Sequence, residues 1–116
     1  MLIKSVSGIR GIVGNGLNPD IILNFAAKFG EFVSHGFKGK KKIIVGRDSR
    51  VSGIALKNAV ISGLLGVGID VIDIDLIPTP TLLYNVKKLK TLGGIVITAS
   101  HNPSEWNALK LVNPLG

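Results

Sequence analysis

Apolar residues at Ile21, Ile22, Phe25, Ala26, Phe29, Phe32 and Val33 recur at the three- and four-residue spacing of one helix face. Asn18 is placed to cap that helix and Pro19 to open it, so the pattern predicts a helix through "NPDIILNFAAKFGEFV". The run "KIIVG" at 42–46 predicts a short buried strand. Ser52 is then placed to cap a second apolar helix through "GIALKNAVISGLLGVG", which its last glycines end. "IDVIDIDLI" at 69–77, rich in β-branched residues and interleaved with Asp70, Asp73 and Asp75, predicts a strand. Thr79 can cap a helix that begins at Pro80 and runs through "TLLYNVKKLK". "GGIVITA" at 93–99 predicts a second buried strand and "LKLVN" at 109–113 a last short one.

Strands separated by helices of this length imply right-handed crossovers and a sheet covered on both faces. The fold class expected is α/β, a three-layer α/β/α sandwich with a mostly parallel mixed sheet. With 116 residues the chain is one domain, 1–116, large enough for a single core.

Composition narrows the class. Hydrophobic residues make up 46% and charged residues 18%, too apolar a mixture for a disordered chain. With no cysteine there is neither a disulfide framework nor a thiolate metal site. The opening "MLIKSVSG" has no signal-peptide core, and each apolar run stops well short of the roughly 20 residues of a membrane helix, so a cytoplasmic protein with no membrane partner is expected. Fourteen Lys and Arg against seven Asp and Glu give a net charge of +7, which suits an anionic partner. Lys38, Lys40, Lys41 and Lys42 precede a strand, and Lys87, Lys88 and Lys90 end a helix, where solvation and the helix dipole account for them. No aromatic residues interleave with these lysines, which argues against a nucleic-acid surface.

In open α/β sheets ligands bind beyond the carboxyl ends of the strands. "GRDSR" follows the strand at 42–46 and "SHNP" the strand at 93–99, so both loops open there. Ser, His, Asn and Pro are also ordinary turn residues, and local chemistry alone does not separate the two readings. Other signatures fail. "HGFKGKKK" lacks the Walker spacing, "GNGLNP" puts Pro19 where a dinucleotide fingerprint needs glycine, and no Gly-x-Ser-x-Gly elbow occurs. With only His35 and His101, no complete metal site can be written, and His35 falls at a helix end. Asp70, Asp73 and Asp75 suggest a cluster by spacing, but alternation along a strand favours solvated or edge positions.

"TASHNPSEWNALK" resembles the phosphoserine signature of the α-D-phosphohexomutases, the family of phosphoglucomutase, phosphomannomutase and phosphoglucosamine mutase. "SGIRGIVG" is similar to the family's N-terminal active-site loop, and "VGRDSRVSG" to its loop after the second strand. The three segments span Ser7 to Lys110 in the family's order. Ala108 departs from the Asn-Gly-x-Lys run of many members, where glycine tolerates a positive φ. With Trp106, that variant resembles the phosphoglucosamine mutase-like branch.

The resemblance implies that 1–116 is the first of four domains around one cleft, and therefore a fragment. Ser100 would carry a phosphoryl group, pass it to a hexose phosphate to form a bisphosphate, and recover one from the other end. Glucose, mannose and glucosamine phosphates all remain open as substrate. Arg10, Asn102 and Lys110 would join Ser100 in binding phosphate, Arg10 with a planar fork of donors. Lys110 would serve as a point charge or in proton transfer, and His101 would hydrogen-bond the ester or move protons. Mg²⁺ would be held by Ser100 through its phosphate together with ligands outside this chain, and a hexose 1,6-bisphosphate would act as activator. The partners implied are a sugar phosphate and the remaining domains, and the isolated fragment would be inactive and prone to self-association. The other reading from the residues is a non-catalytic α/β module that binds anionic ligands or nucleic acid through its basic surface.

Overall fold

A computed structural model of the protein describes residues 2–5, 8–99 and 102–115. Its strands are β1 (Leu2–Ser5), β2 (Gly8–Val13), β3 (Gly16–Leu17), β4 (Lys42–Arg47), β5 (Asp70–Leu76), β6 (Gly93–Ile97) and β7 (Trp106–Val112). Three helices are interspersed, α1 (Pro19–Ser34), α2 (Gly53–Gly66) and α3 (Thr79–Lys88). The strands form one mixed sheet in the order β1-β2-β7-β6-β4-β5, with β3 paired to β2. β5, β4 and β6 are parallel, and β7, β2 and β1 continue the sheet by antiparallel pairing.

The connections dictate the layers. From β4 the chain crosses by α2 to β5 on one side, and from β5 it crosses by α3 past β4 to β6 on the other. Two crossovers of one hand in opposite directions must lie on opposite sheet faces. Ile43, Val45, Ile95, Ile97 and Leu109 accordingly pack with α1 and α2, and Ile44, Val96 and Val112 pack with Leu82 and Val86 of α3. Full burial of each such aliphatic side chain contributes about 1.5–3 kcal/mol. The expected three-layer sandwich is present. Among the described residues no helix is long and apolar enough to cross a membrane.

Several local details differ from the sequence expectation. Residues 8–13, expected as a loop, form a strand because Ile9 is driven into the core, 2% exposed, while β7 and β1 pair on either side. β7 begins at Trp106, three residues before the expected start. Asn18 does precede α1, but its side chain makes no capping bond. Ser52 does not cap α2 through its side chain either, because its hydroxyl accepts a hydrogen bond from Asn107 Nδ2 at 2.9 Å. Pro78, not Thr79, precedes α3, and Thr79 is its first residue. Ala108 lies in regular strand, and the positive-φ non-glycine residues described are Asp75 and Lys90.

α1 and α2 pack closely because Gly63 has no side chain: a Cβ there would overlap the Leu23 carbonyl oxygen of α1. Gly63→Ala is expected to lower the stability of the domain by about 1–3 kcal/mol. Urea unfolding should show a lower midpoint at unchanged slope. An unchanged midpoint would mean that the two helices can part at no cost.

Candidate functional site

β4 and β6 are neighbours, yet their carboxyl ends send the chain in opposite directions, toward β5 and toward β7. That divergence leaves a crevice between the two exit loops, the usual ligand position in such sheets. The loop after β4 is "DSRVS", 48–52, and the loop after β6 is 98–105.

Polar bonds join these loops. Thr98, buried at 6% exposure, donates its hydroxyl to Asp48 Oδ2 at 2.6 Å, and the Asp48 amide donates to the Ile97 carbonyl at 3.0 Å. Arg50 Nε donates to the same Asp48 Oδ2 at 3.1 Å, and its backbone amide to Asp48 Oδ1 at 3.1 Å. Arg50 Nη1 then reaches the carbonyls of Pro103 at 2.8 Å and Trp106 at 3.3 Å. The fully buried Asn107 ties the start of β7 to Ser52 at the start of α2, and the Val13 amide donates to the Glu105 carbonyl at 3.0 Å. The start of β7 and the loop before it are therefore anchored to the β4 exit, to α2 and to the N-terminal strands.

Arg10 and Lys110 fall on one sheet face. Arg10 is opposite Ala108 and Gly8 opposite Lys110, and directly paired residues of antiparallel strands present their side chains to the same side. As diagonal neighbours they stand roughly 7–8 Å apart at the backbone. Both are exposed. The face is that of Val96 and Val112, which α3 covers farther along the sheet. A Cβ at Gly8 would overlap the Leu109 carbonyl oxygen, so glycine there permits the close approach of β2 to β7. On the other side of β7 the Thr98 amide donates to the Ala108 carbonyl. Thr98, just past the end of β6, thus forms a row with Ala108 of β7 and Arg10 of β2, placing the Arg10 backbone about 9–10 Å from that of Thr98.

Ser100 and His101 lie outside the described residues. Their flanks are placed: Ala99 is buried, and half-buried Asn102 donates its amide to the Ala99 carbonyl at 3.0 Å. The structure thus brings together the strands bearing Arg10 and Lys110 and the flanks of Ser100. His35 is the C-cap residue of α1 and exposed. Asp48, Arg50, Thr98 and Asn107 were not singled out by the sequence. The available signal was "GRDSR", two arginines around a carboxylate at a strand's carboxyl end.

No metal centre is formed among the described residues, where no group of three or more His, Asp or Glu could hold an ion. Asp73 and Asp75 are engaged otherwise. Lys57 Nζ is 3.0 Å from Asp73 and 2.8 Å from Asp75, and Arg47 Nε is 3.0 Å from Asp75. Two cations on these carboxylates do not fit a Mg²⁺ site, and the edge position of β5 agrees with the solvated role expected from alternation. A bulge at Ile74 puts both carboxylates beside the same lysine: Val45 pairs with Asp73 and Gly46 with Asp75.

An apolar groove of about 620 Å³ is lined by Phe25, Phe29, Phe32, Val33, Leu111 and Pro114. It lies near Val112, which pairs with Gly94 at the start of β6. It is therefore at the opposite end of the sheet from the crevice.

Residues 1–116 match the family described as phosphoglucomutase/phosphomannomutase, alpha/beta/alpha domain I. The chain is 44% identical over 109 residues to a phosphoglucomutase/phosphomannomutase of Thermococcus kodakarensis, covering 94% of this chain and 24% of that protein. It is also 44% identical over 111 residues to a phosphoglucosamine mutase of Alkaliphilus metalliredigens, with the same coverage of 94% and 24%. A crystal structure of a phosphoglucomutase/phosphomannomutase family protein from Burkholderia thailandensis superimposes with a TM-score of 0.86 at 31% identity, covering 95% of this chain and 25% of that one. The chain therefore spans about a quarter of the length of these relatives.

The ion pairs of β5 give a pH signature. Hydrogen bonds from Lys57 and then Arg47 hold the Asp75 carboxyl below its ordinary 3.8, so its contribution is present above that value and is lost as pH falls through the lower folded-state value. Asp75 and then Asp73 raise Lys57 above its ordinary 10.5, so its contribution is present below 10.5 and is lost as pH rises through the folded-state value. An NMR titration of Asp75 should give a midpoint below 3.8 that moves upward in Lys57→Ala. A midpoint at or above 3.8 in the unaltered chain would show that these pairs do not persist in solution.

Proposed function

Because the chain belongs to the phosphoglucomutase/phosphomannomutase family as its N-terminal α/β/α domain I, we propose that it is the phosphoserine-carrying domain of a hexose-phosphate mutase. The observation that carries the reading is Arg10 and Lys110 on one exposed face, beside the anchored flanks of Ser100.

In the proposed reaction the Ser100 phosphate ester donates its phosphoryl group to a hydroxyl oxygen of a hexose phosphate. The bond from phosphorus to Ser100 Oγ breaks and the bond to the sugar oxygen forms, while the hydroxyl proton passes by way of Lys110 or His101 to the departing Ser100 Oγ. The bisphosphate turns round and its other phosphoryl group returns to Ser100 Oγ: the bond from phosphorus to the sugar oxygen breaks, the serine hydroxyl proton passes back to that oxygen, and the isomeric monophosphate is left. Such transfer has a loose transition state, so catalysis is chiefly positioning and charge compensation. Arg10 can bridge phosphate oxygens with two parallel donors, Lys110 supplies a compact positive charge, and Asn102 adds an amide. Thr98 is a poor competitor as carrier because its hydroxyl is buried and donated to Asp48.

The substrate class is a hexose 1- or 6-phosphate of glucose, mannose or glucosamine, with a hexose 1,6-bisphosphate as activator. Mg²⁺, when bound, would neutralise phosphate charge, with Ser100 contributing through its phosphate and the other ligands coming from outside this chain. We take the chain to act as one of four domains of a cytoplasmic enzyme. Alone it offers neither a second phosphate clamp nor a metal site among its described residues, so it should be inactive. The apolar groove beside Phe32, 81% exposed, is where self-association would occur.

Incubating the full-length protein with glucose 1,6-bisphosphate and Mg²⁺ should place phosphate on Ser100, located by peptide mass spectrometry. Ser100→Ala should remove the label and lower mutase turnover by about 10³-fold or more. Phosphate on exposed Ser104 instead would reassign the carrier. A protein that acquires no phosphate and is retained on heparin at physiological salt would favour the anion-binding module.

A further inference from the structure

We propose that Asp48 and Arg50 are positioning residues for phosphoryl transfer, clamping both flanks of the loop that bears Ser100. The inference rests on the reading of Ser100 as phosphoryl carrier.

Loop 98–105 has no regular structure of its own among its described residues, and its internal backbone bonds include those closing Ala99 to Asn102 and Pro103 to Trp106. Beside the bonds of Thr98 to Ala108 and of Glu105 to Val13, its side-chain anchorage comes from the loop after β4, some fifty positions earlier in the sequence. On the amino side, Asp48 Oδ2 accepts the Thr98 hydroxyl at 2.6 Å, two residues before the serine. On the carboxyl side, Arg50 Nη1 holds the carbonyls of Pro103 and Trp106, three and six residues after it. The two anchors are themselves joined, since Asp48 Oδ2 also accepts Arg50 Nε at 3.1 Å. With its side chain only 11% exposed, the guanidinium is held in place rather than swinging in solvent.

The chemistry of the two side chains matches that task. A guanidinium carries donors in a fixed planar fork and can bridge a carboxylate and two carbonyls at once, whereas an ammonium of equal charge cannot span them. The carboxylate uses both oxygens, Oδ1 for the Arg50 amide and Oδ2 for Thr98 and the guanidinium. Charge-assisted bonds are shorter and stronger than neutral ones, which suits a polar loop that has little apolar surface to bury. In-line transfer depends on near-attack placement, where a displacement of about 1 Å costs on the order of 10²-fold in rate.

The test is single-turnover transfer from phospho-Ser100 to glucose, mannose or glucosamine 1-phosphate, in the full-length protein and its Arg50→Lys, Asp48→Asn and Thr98→Val variants. The rate constant reports position, whereas the amplitude reports the fraction of folded phosphoenzyme. Arg50→Lys is expected to lower the rate constant about 10²-fold with KM unchanged. Asp48→Asn and Thr98→Val, which each loosen one flank, should lower it about tenfold. Unchanged rate constants with reduced amplitude or Tm would overturn the proposal and leave the pair a purely structural role. If Arg50→Lys fails to fold, the other two variants decide on the same criterion. A wild-type protein with no phosphate on Ser100 would remove the reading beneath the clamp, an outcome distinct from a phosphorylated enzyme whose variants transfer normally.

Discussion

The arrangement at the candidate site depends on one strand, β7, which pairs antiparallel with β6 on one side and with β2 on the other. Without it the parallel sheet would end at β6 and Arg10 would have no fixed relation to the loop after that strand. The insertion is driven by burial: Leu109 is fully enclosed against Ile9 and Ile97, and Asn107 is enclosed with its amide group satisfied by Ser52 and by the Ala108 amide. A buried amide without such partners would cost roughly 1–3 kcal/mol. The bond to Ser52 therefore couples the register of β7 to the start of α2, and a slip of one residue would exchange Leu109 with exposed Lys110.

Stability and function are divided between the ends and the middle of the sheet. The middle is apolar on both faces, and its tightest contacts use glycines: Gly46 and Gly94 lie directly under Leu82 and Val86 of α3. Beyond the carboxyl ends the exit loops are held by polar bonds, from Thr98 and Arg50 at the loop after β6 to Arg47 and Lys57 at the edge strand. Several acting on one loop fix its place without making it part of the core. That suits the role proposed for the loop after β6.

How much of this was legible in the sequence follows from how local each feature is. The faces of α1 and the runs of β4 and β6 repeat within a few residues, and periodicity exposed them. The caps at Asn18 and Ser52 were legible in position but not in bonding, because they answer to tertiary partners or to none, and the cap expected at Thr79 falls instead at Pro78. β2 was invisible as a strand: it is short, interrupted by glycines, and formed by pairing with residues nearly a hundred positions away. The link between Asp48, Arg50 and the loop after β6 was equally non-local. The motif "GRDSR" marked the place, and only the geometry gave those two side chains a task.

The net charge of +7, which suggests an anionic partner, is for the most part remote from the crevice. Lys38, Lys40 and Lys41 precede β4, and Lys87, Lys88 and Lys90 precede β6, so both groups sit at the amino ends of the parallel strands. A six-residue strand such as β4 is roughly 20 Å long, more than two Debye lengths of about 8 Å at physiological salt. Exposed charges at that range are largely screened. Arg47 and Arg50, which do stand at the right end, are each bonded to a carboxylate. On the proposed reading of Ser100 as carrier, its phosphate would have to be compensated by charges only a few ångströms away, and Arg10 and Lys110 lie on β2 and β7, the strands that continue the sheet past β6. The global charge can hasten the approach of an anionic ligand at low salt, but under the proposed function the short-range pair would determine what happens once it has arrived.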